Sequence, residues 1–312
     1  MANSIILIVA HTHQWLINAF EKAGYQVIYN SNMSYTEAQQ HIIEAVGIVA
    51  GNRWPIDKRL ISSGTNLKWI GRLGSGMEKI DVAFAENNGI KCLSSPEGNS
   101  NAVAEHALGL LLALTNNIVK SNNQISQNKW LREINRGIEI YGKTIGIIGY
   151  GHTGSKFAML LTSFNCTILA NDIKILPLLP NSYTQGSLLE IAQKADIISF
   201  HLPLNNSTTY LANDAFFNSC TNTPIILNTS RGGVIQTKAL INALKNNKIA
   251  GAGLDVLENE NLALYNKDEQ ESLDFLNAHP NVILTPHIAG YSNQSLLKMA
   301  EVLFNKITAL NG

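Results

Sequence analysis

Thr144-Ile145-Gly146-Ile147-Ile148-Gly149-Tyr150-Gly151-His152-Thr153-Gly154 is a β-branched run that breaks into three glycines with the spacing G-x-G-x-x-G. The run predicts a strand over 144–149, and the apolar pattern behind it predicts a helix over 155–163. A second strand over 167–171 then delivers Asp172, close to the offset of about twenty residues at which an acid meets a ribose in dinucleotide-binding βαβ units. Each part has a physical task. Gly149 allows the tight turn, Gly151 lets the main chain approach a pyrophosphate, and Gly154 lets helix and strand pack closely. The free N–H groups at the helix start, around His152 and Thr153, hold the anion. Asp172 would accept bonds from ribose hydroxyls and repel a 2′-phosphate, so the expected cofactor is NAD (NADH).

Outward from this unit, short apolar runs alternate with helical patterns along the whole chain. Runs at 197–200, 224–229, 251–255 and 282–284 read as strands buried on both faces. An earlier series at 5–9, 26–29, 47–50, 69–73 and 91–93 is interleaved with helical patterns at 14–23, 35–45 and 81–88. A long helix over 101–115, an Asn/Gln-rich one over 116–128 and a last helix over 294–310 complete the pattern. The fold class expected is α/β with two doubly wound parallel-sheet domains. A Rossmann NAD-binding domain at 99–287 is inserted in a flavodoxin-like, discontinuous substrate domain formed by 1–98 and 288–312.

The composition narrows the function classes. Among 312 residues there are 23 Lys+Arg and 23 Asp+Glu, a net charge of +0, which argues against a nucleic-acid partner. Hydrophobic content of 45% against 15% charged marks a folded chain. Cys92, Cys166 and Cys220 form no C-x-x-C pair, so neither a zinc site nor a disulfide framework is expected, and no metal ligands are assigned. They read as small buried hydrophobes in a reducing cytoplasm. The N-terminus has no basic region before a signal-length apolar run, and the apolar stretch 102–114 is interrupted by Glu105 and His106, so no membrane segment is expected.

Ligands of open parallel sheets bind at the carboxyl ends of strands, and polar residues follow four of the predicted strands. Arg231 follows the run 224–229 beside Gly232 and Gly233, where its planar fork can meet a carboxylate. Glu258 and Glu260 follow 251–255, His287 follows 282–284, and His201 follows 197–200 as a residue packing beside the cofactor. Arg231, an acid and His287 make a coherent acid–base set. In the first series, Arg53 follows 47–50, while Arg72 and Lys79 flank Gly74-Ser75-Gly76; three cations suit a phosphate.

With these segments together, the sequence resembles the D-isomer-specific 2-hydroxyacid dehydrogenase family, including 3-phosphoglycerate dehydrogenases and hydroxypyruvate or glyoxylate reductases. The resemblance rests on Gly71 through Asp81, Gly98-Asn99 through Val103-Ala104-Glu105-His106, the glycine fingerprint, His201-Leu202-Pro203-Leu204, Asn228 through Val234, Leu254 through Glu260, and Thr285 through Gly290. It implies Arg231, Glu260 and His287 as catalytic residues. It implies a cofactor site of Gly149, Gly151, His152, Thr153, Gly154, Asp172, His201, Pro203, Thr208, Thr229, Ser230, Asp255 and Gly290, with Asp255 near the nicotinamide amide. Substrate contacts are expected from Arg53, Arg72, Asn99 and the N–H groups of Ser75 and Gly76. The family often has Pro after the catalytic Glu, where this chain has Asn261, and Glu258 stands two positions earlier. The sequence leaves open which acid faces His287.

The implied reaction interconverts a small-molecule D-2-hydroxy acid and its 2-keto acid in a cleft closed by two hinged domains. His287 moves the proton and Arg231 clamps the carboxylate. The expected substrate pair is 3-phosphoglycerate and 3-phosphohydroxypyruvate, a step of serine biosynthesis. With Gly312 as the last residue, the regulatory domains of longer phosphoglycerate dehydrogenases are not expected. A homodimer through the cofactor domain, in the region of Trp130 and Arg132, is implied. A glyoxylate/hydroxypyruvate reductase is the alternative enzyme, and a non-catalytic NAD-sensing binding protein the alternative of another class. A formate dehydrogenase would carry Gln where Glu260 stands.

Overall fold

The computed structural model describes residues 4–174 and 183–310. The chain divides into two compact units, Met1–Ser100 with Gly290–Gly312, and Asn101–Ala289. In chain order the first unit holds β1 (Ile5–Ile8), α1 (Gln14–Lys22), β2 (Gln26–Tyr29), α2 (Tyr35–His41), β3 (Ala45–Ala50), α3 (Lys58–Ser63), β4 (Trp69–Arg72), α4 (Val82–Asn87) and β5 (Lys91–Ser94). Helix α5 (Pro96–Thr115) carries the chain into the second unit, followed by α6 (Ile118–Ser126), β6 (Thr144–Ile148), α7 (His152–Leu161), β7 (Thr167–Asn171) and β8 (Tyr183–Gln185). Then come α8 (Leu188–Lys194), β9 (Ile197–Phe200), α9 (Asp214–Asn218), β10 (Ile225–Asn228), α10 (Thr237–Lys245), β11 (Gly251–Leu254), α11 (Lys267–Ala278) and β12 (Val282–Leu284). Helix α12 (Asn293–Thr308) belongs to the first unit.

The first unit is a parallel sheet in the order β2-β1-β3-β4-β5, the flavodoxin-like arrangement. Alternate residues of β1 point to opposite faces, so Leu7 joins Ile48 and Ile70 under α2 and α3, while Ile6 and Ile8 join Phe20 and Trp69. Helix α12 closes that second face with Ala300, Leu303 and Ile307, lying so near β4 that a Cβ at Gly71 would touch Leu303. Helix α2 stops at His41, short of residue 45, because the fully buried Ile42 begins a turn whose carbonyl accepts from Ala45 N at 3.2 Å.

The second unit is a parallel sheet in the order β12-β11-β10-β9-β6-β7-β8, so chain direction across the sheet reverses beside β6. The fingerprint helix opens at His152 with Gly151 as its N-cap, three residues before the expected 155, because the glycines themselves take up the turn. Strand β12 is a half-buried sheet edge, not a strand buried on both faces. Helix α5 starts at Pro96, earlier than 101, since proline suits a first turn that needs no N–H donor. Asn117 at φ 52 ends the run between α5 and α6. No single helix among the described residues is long and apolar enough to cross a membrane.

Candidate active site

The turn after β6 is shaped by its glycines. Gly149 sits at φ 92, and a Cβ there would overlap the His201 carbonyl; one on Gly154 would overlap the Gly149 carbonyl. A Cβ on Gly151 would meet nothing, so this N-cap of the ten-residue helix α7, with His152 and Thr153 behind it, faces open space. Asp172 stands at the end of β7, its Oδ2 accepting from Tyr150 N at 2.8 Å and its Oδ1 from Lys174 N at 2.9 Å.

Among the described residues of this unit, the buried side-chain atoms His201 Nδ1 and Thr229 Oγ1, at the ends of β9 and β10, lack a partner, as does Asn135 Oδ1 elsewhere in the unit. A buried polar atom left unpaired is costly, and a polar ligand would satisfy it. His201 places its other nitrogen 2.8 Å from Ser199 Oγ and its ring 5.5 Å from that of Phe157. Burial pulls its pKa down to about 4, so it stays neutral at ordinary pH. Thr208 Oγ1 donates to the Pro203 carbonyl at 2.6 Å and accepts from Asn205 N at 2.9 Å, fixing the loop after β9. Ser230 is bonded through N and Oγ to Asn228 Oδ1. Glycines without obstructing side chains, an open helix N-terminus and two orphaned polar atoms fit a dinucleotide.

The acid–base set lies at the ends of three adjacent strands, β10, β11 and β12. Arg231 is half-buried, and its Nη1 donates to Ser230 O at 2.6 Å. Asn228, whose role is not legible from the sequence alone, braces this loop by donating to Arg231 O at 2.9 Å. Gly232 lets the loop lie on the Leu257–Glu258 main chain, which a Cβ would overlap. Glu258 accepts from Thr237 N, and its bond to the Tyr210 hydroxyl raises that phenol's pKa. Glu260 instead meets His287, Oε2 to Nδ1, at 2.9 Å. That bond raises the His287 pKa, against burial acting the other way. Asn259 holds Glu260 in place: its Oδ1 accepts from Asn261 N at 3.0 Å and its carbonyl from the Tyr265 hydroxyl. A proline at 261 could not make the first of these bonds.

Asp255 directly follows β11. Its side chain is 0% exposed, and the carboxylate is taken up by Thr285 Oγ1, Ile288 N and Ala289 N. These bonds tie Ile288 and Ala289 to the second unit, which runs to Ala289.

In the first unit, the Gly74-Ser75-Gly76 loop turns at Gly74, φ 110, whose N–H donates to the buried Ser95 hydroxyl at 3.1 Å. Ser95 was not visible in the sequence as a loop brace. Arg72 reaches Gly76 O at 3.2 Å, Ala50 O at 3.3 Å and Asn52 Oδ1, while Lys79 Nζ reaches Asn52 O at 2.7 Å. Arg53 donates to Ser31 O and Asn32 Oδ1. Asn99 lies where a Cβ on Gly290 would strike its amide.

Residues 108–289 match the family description D-isomer specific 2-hydroxyacid dehydrogenase, NAD binding domain. The chain belongs to the D-isomer specific 2-hydroxyacid dehydrogenase family. Its second unit is therefore an NAD-binding domain of that family, in agreement with the glycine turn after β6. Hydroxypyruvate reductase of Thermotoga maritima is 33% identical over 281 residues, covering 90% of this chain and 89% of that protein. D-3-phosphoglycerate dehydrogenase 1 of Saccharomyces cerevisiae is 31% identical over 297 residues, covering 93% of this chain but 63% of that protein. The chain thus spans less than two thirds of the yeast enzyme. Among solved structures, D-lactate dehydrogenase with NAD+ from Lactobacillus jensenii has a TM-score of 0.80 at 28% identity, covering 98% of this chain and 96% of that one.

Proposed function

We propose that this chain is an NAD-dependent oxidoreductase that interconverts a D-2-hydroxy acid and its 2-keto acid. The carrying observation is the 2.9 Å contact between His287 Nδ1 and Glu260 Oε2 at the edge of an NAD-binding sheet. The second-unit residues Gly149, Gly151, His152, Thr153, Gly154, Asp172, His201, Pro203, Thr208, Thr229, Ser230 and Asp255, with Gly290, are the proposed holders of the cofactor. When bound there, the nicotinamide cofactor would supply the hydride for keto-acid reduction and would take it up in hydroxy-acid oxidation. His287 delivers the matching proton to the keto oxygen from Nε2, since Glu260 occupies Nδ1, and recovers it in oxidation. Arg231 holds the substrate carboxylate and draws charge toward the keto oxygen.

For the substrate we propose 3-phosphohydroxypyruvate and 3-phosphoglycerate, the acids of serine biosynthesis, because Arg53, Arg72 and Lys79 gather positive charge around residues 50–53. Ser75, Gly76 and Asn99 are the proposed further substrate contacts. A glyoxylate/hydroxypyruvate reductase is the second reading, favoured by the match over 89% of the Thermotoga maritima enzyme. Steady-state rates of NADH oxidation with 3-phosphohydroxypyruvate, hydroxypyruvate, glyoxylate and pyruvate decide between them. A protein that binds NADH tightly but reduces none of these acids is a sensor, not a dehydrogenase.

We further propose a homodimer through the segment 118–141, where Ile118, Ile134, Ile138, Tyr141 and above all Trp130, 84% exposed, present an apolar face. Sedimentation equilibrium of the wild type and Trp130→Glu tests this; a wild-type monomer rejects it. A cytoplasmic site agrees with the three free cysteines.

A further inference from the structure

His106, on α5, has no part in the chemistry above, yet it touches the support of the catalytic turn. Its Nε2 lies 3.0 Å from Thr285 Oγ1 and 3.5 Å from Asp255 Oδ1. Thr285 Oγ1 is in turn 2.5 Å from Asp255 Oδ1. A hydroxyl has one proton, and a carboxylate can only accept, so the Thr285 proton goes to Asp255. The hydroxyl's lone pair then faces His106, whose Nε2 must carry a hydrogen.

Asp255 gathers the turn. Its main-chain oxygen accepts from His287 N at 2.8 Å, its Oδ1 from Ile288 N at 2.9 Å and its Oδ2 from Ala289 N at 2.8 Å. Three successive amides thus converge on one buried residue, and the first belongs to a histidine at φ 55, a left-handed conformation that a non-glycine residue adopts at a cost. The sequence puts His106 within reach by the match of two spacings. Leu110 of α5 packs over Gly253 of β11, where a Cβ would press on it. Four residues back along a helix is about 6 Å, and two residues on along a strand is about 6.6 Å, so His106 arrives over Asp255.

We propose that His106 is a positioning residue for His287, acting by hydrogen-bond donation to Thr285, which orients that hydroxyl onto Asp255 and so fixes the turn. The proposal deepens the dehydrogenase reading and rests on it for the role of His287, though not for the geometry. The groups facing His287 are Glu260, Asp255 and Arg231, from the segments after β11 and β10. All three remain in every variant below.

The test uses the full chain with His106→Ala, His106→Gln, Thr285→Val and Thr285→Ser. Two readouts are taken: the His287 pKa by NMR titration of the protein alone, with imidazole-labelled histidine, and kcat and KM with NADH and a keto acid. In His106→Ala we expect kcat to fall roughly 10-fold with KM for NADH changed less than about twofold, and the His287 pKa to move toward its unperturbed value. His106→Gln, which keeps an N–H donor at similar reach, restores most of both, as does Thr285→Ser but not Thr285→Val. A folded His106→Ala protein with wild-type kcat and His287 titration overturns the proposal, and so does a His106→Gln protein as impaired as His106→Ala. If the wild type reduces no keto acid, the dehydrogenase reading falls while the titration still decides the role of His106.

Discussion

His287 is bonded to Glu260 through Nδ1 at 2.9 Å while its own main chain is held at φ 55. The first fact sets the charge of the imidazole and the second sets its direction. Removing the acid therefore changes the protonation of His287 without moving the turn. Glu260→Gln keeps a hydrogen-bonding oxygen but loses the carboxylate whose bond, and then whose charge, raises the His287 pKa. Keto-acid reduction needs the protonated imidazole, so the alkaline limb of its kcat profile should shift to lower pH. We expect a fall of roughly 10-fold or more above neutrality with NADH affinity unchanged. A superimposable pH profile sinks the pairing.

The raised pKa of His287 has a weaker consequence for stability. The folded state binds this proton more tightly than the unfolded one, so the contribution is full below about 6.5 and is lost as pH rises through the folded value. Because the two side chains are 45% and 46% exposed, solvent screening keeps it small.

Arg231 depends on its neighbours for its aim. Asn228→Ala removes the amide that bonds Arg231 O and the oxygen that orders Ser230, leaving buried polar groups unpaired. The expected cost is about 1–3 kcal/mol of stability. Carboxylate recognition should weaken too, raising KM for the keto acid more than KM for NADH. Chemical denaturation and steady-state kinetics on one preparation check both, and equal effects on the two KM values count against the brace.

What could be read from the sequence was local. The glycine fingerprint declares its strand, turn and helix because Gly149 and Gly154 answer nearby steric demands. Apolar runs locate central strands such as β9 and β10 because burial on two faces leaves no alternative composition. Strand β8 escaped notice, since in Tyr183-Thr184-Gln185 only the tyrosine is buried. His106 and Thr285 are 179 positions apart, and only the packing of α5 over Gly253 brings them together. Glu258 and Glu260 have equal claims in sequence. The choice falls to Glu260 because Thr237 and Tyr210 engage Glu258.

His201 should make the protein sensitive to acid. Its folded pKa of about 4 lies below the unfolded value, so the unfolded chain takes up the proton first and stability declines as pH falls from about 6.5 toward 4. The full difference corresponds to about 3 kcal/mol. In His201→Gln that component disappears. Melting temperature plotted against pH should therefore fall less steeply over this interval than in the wild type, whatever the variant's stability at neutral pH. Parallel curves remove His201 as the source.

Asp172 is the group on which cofactor choice turns. Its carboxylate accepts from Tyr150 N and Lys174 N, so it is fixed at the end of β7. A fixed negative charge repels a 2′-phosphate, and a ribose hydroxyl can still donate to it. Asp172→Ser keeps an oxygen to accept from Tyr150 N but removes the charge, and Lys174 stays nearby to favour a phosphate. We expect kcat/KM to fall roughly 10-fold for NADH and to rise by a similar factor for NADPH, each shift being about 1.4 kcal/mol. Rates with the two cofactors at limiting concentration measure the change. A variant that keeps the wild-type preference for NADH would show that discrimination resides elsewhere in the turn, at the His152–Thr153 end of α7.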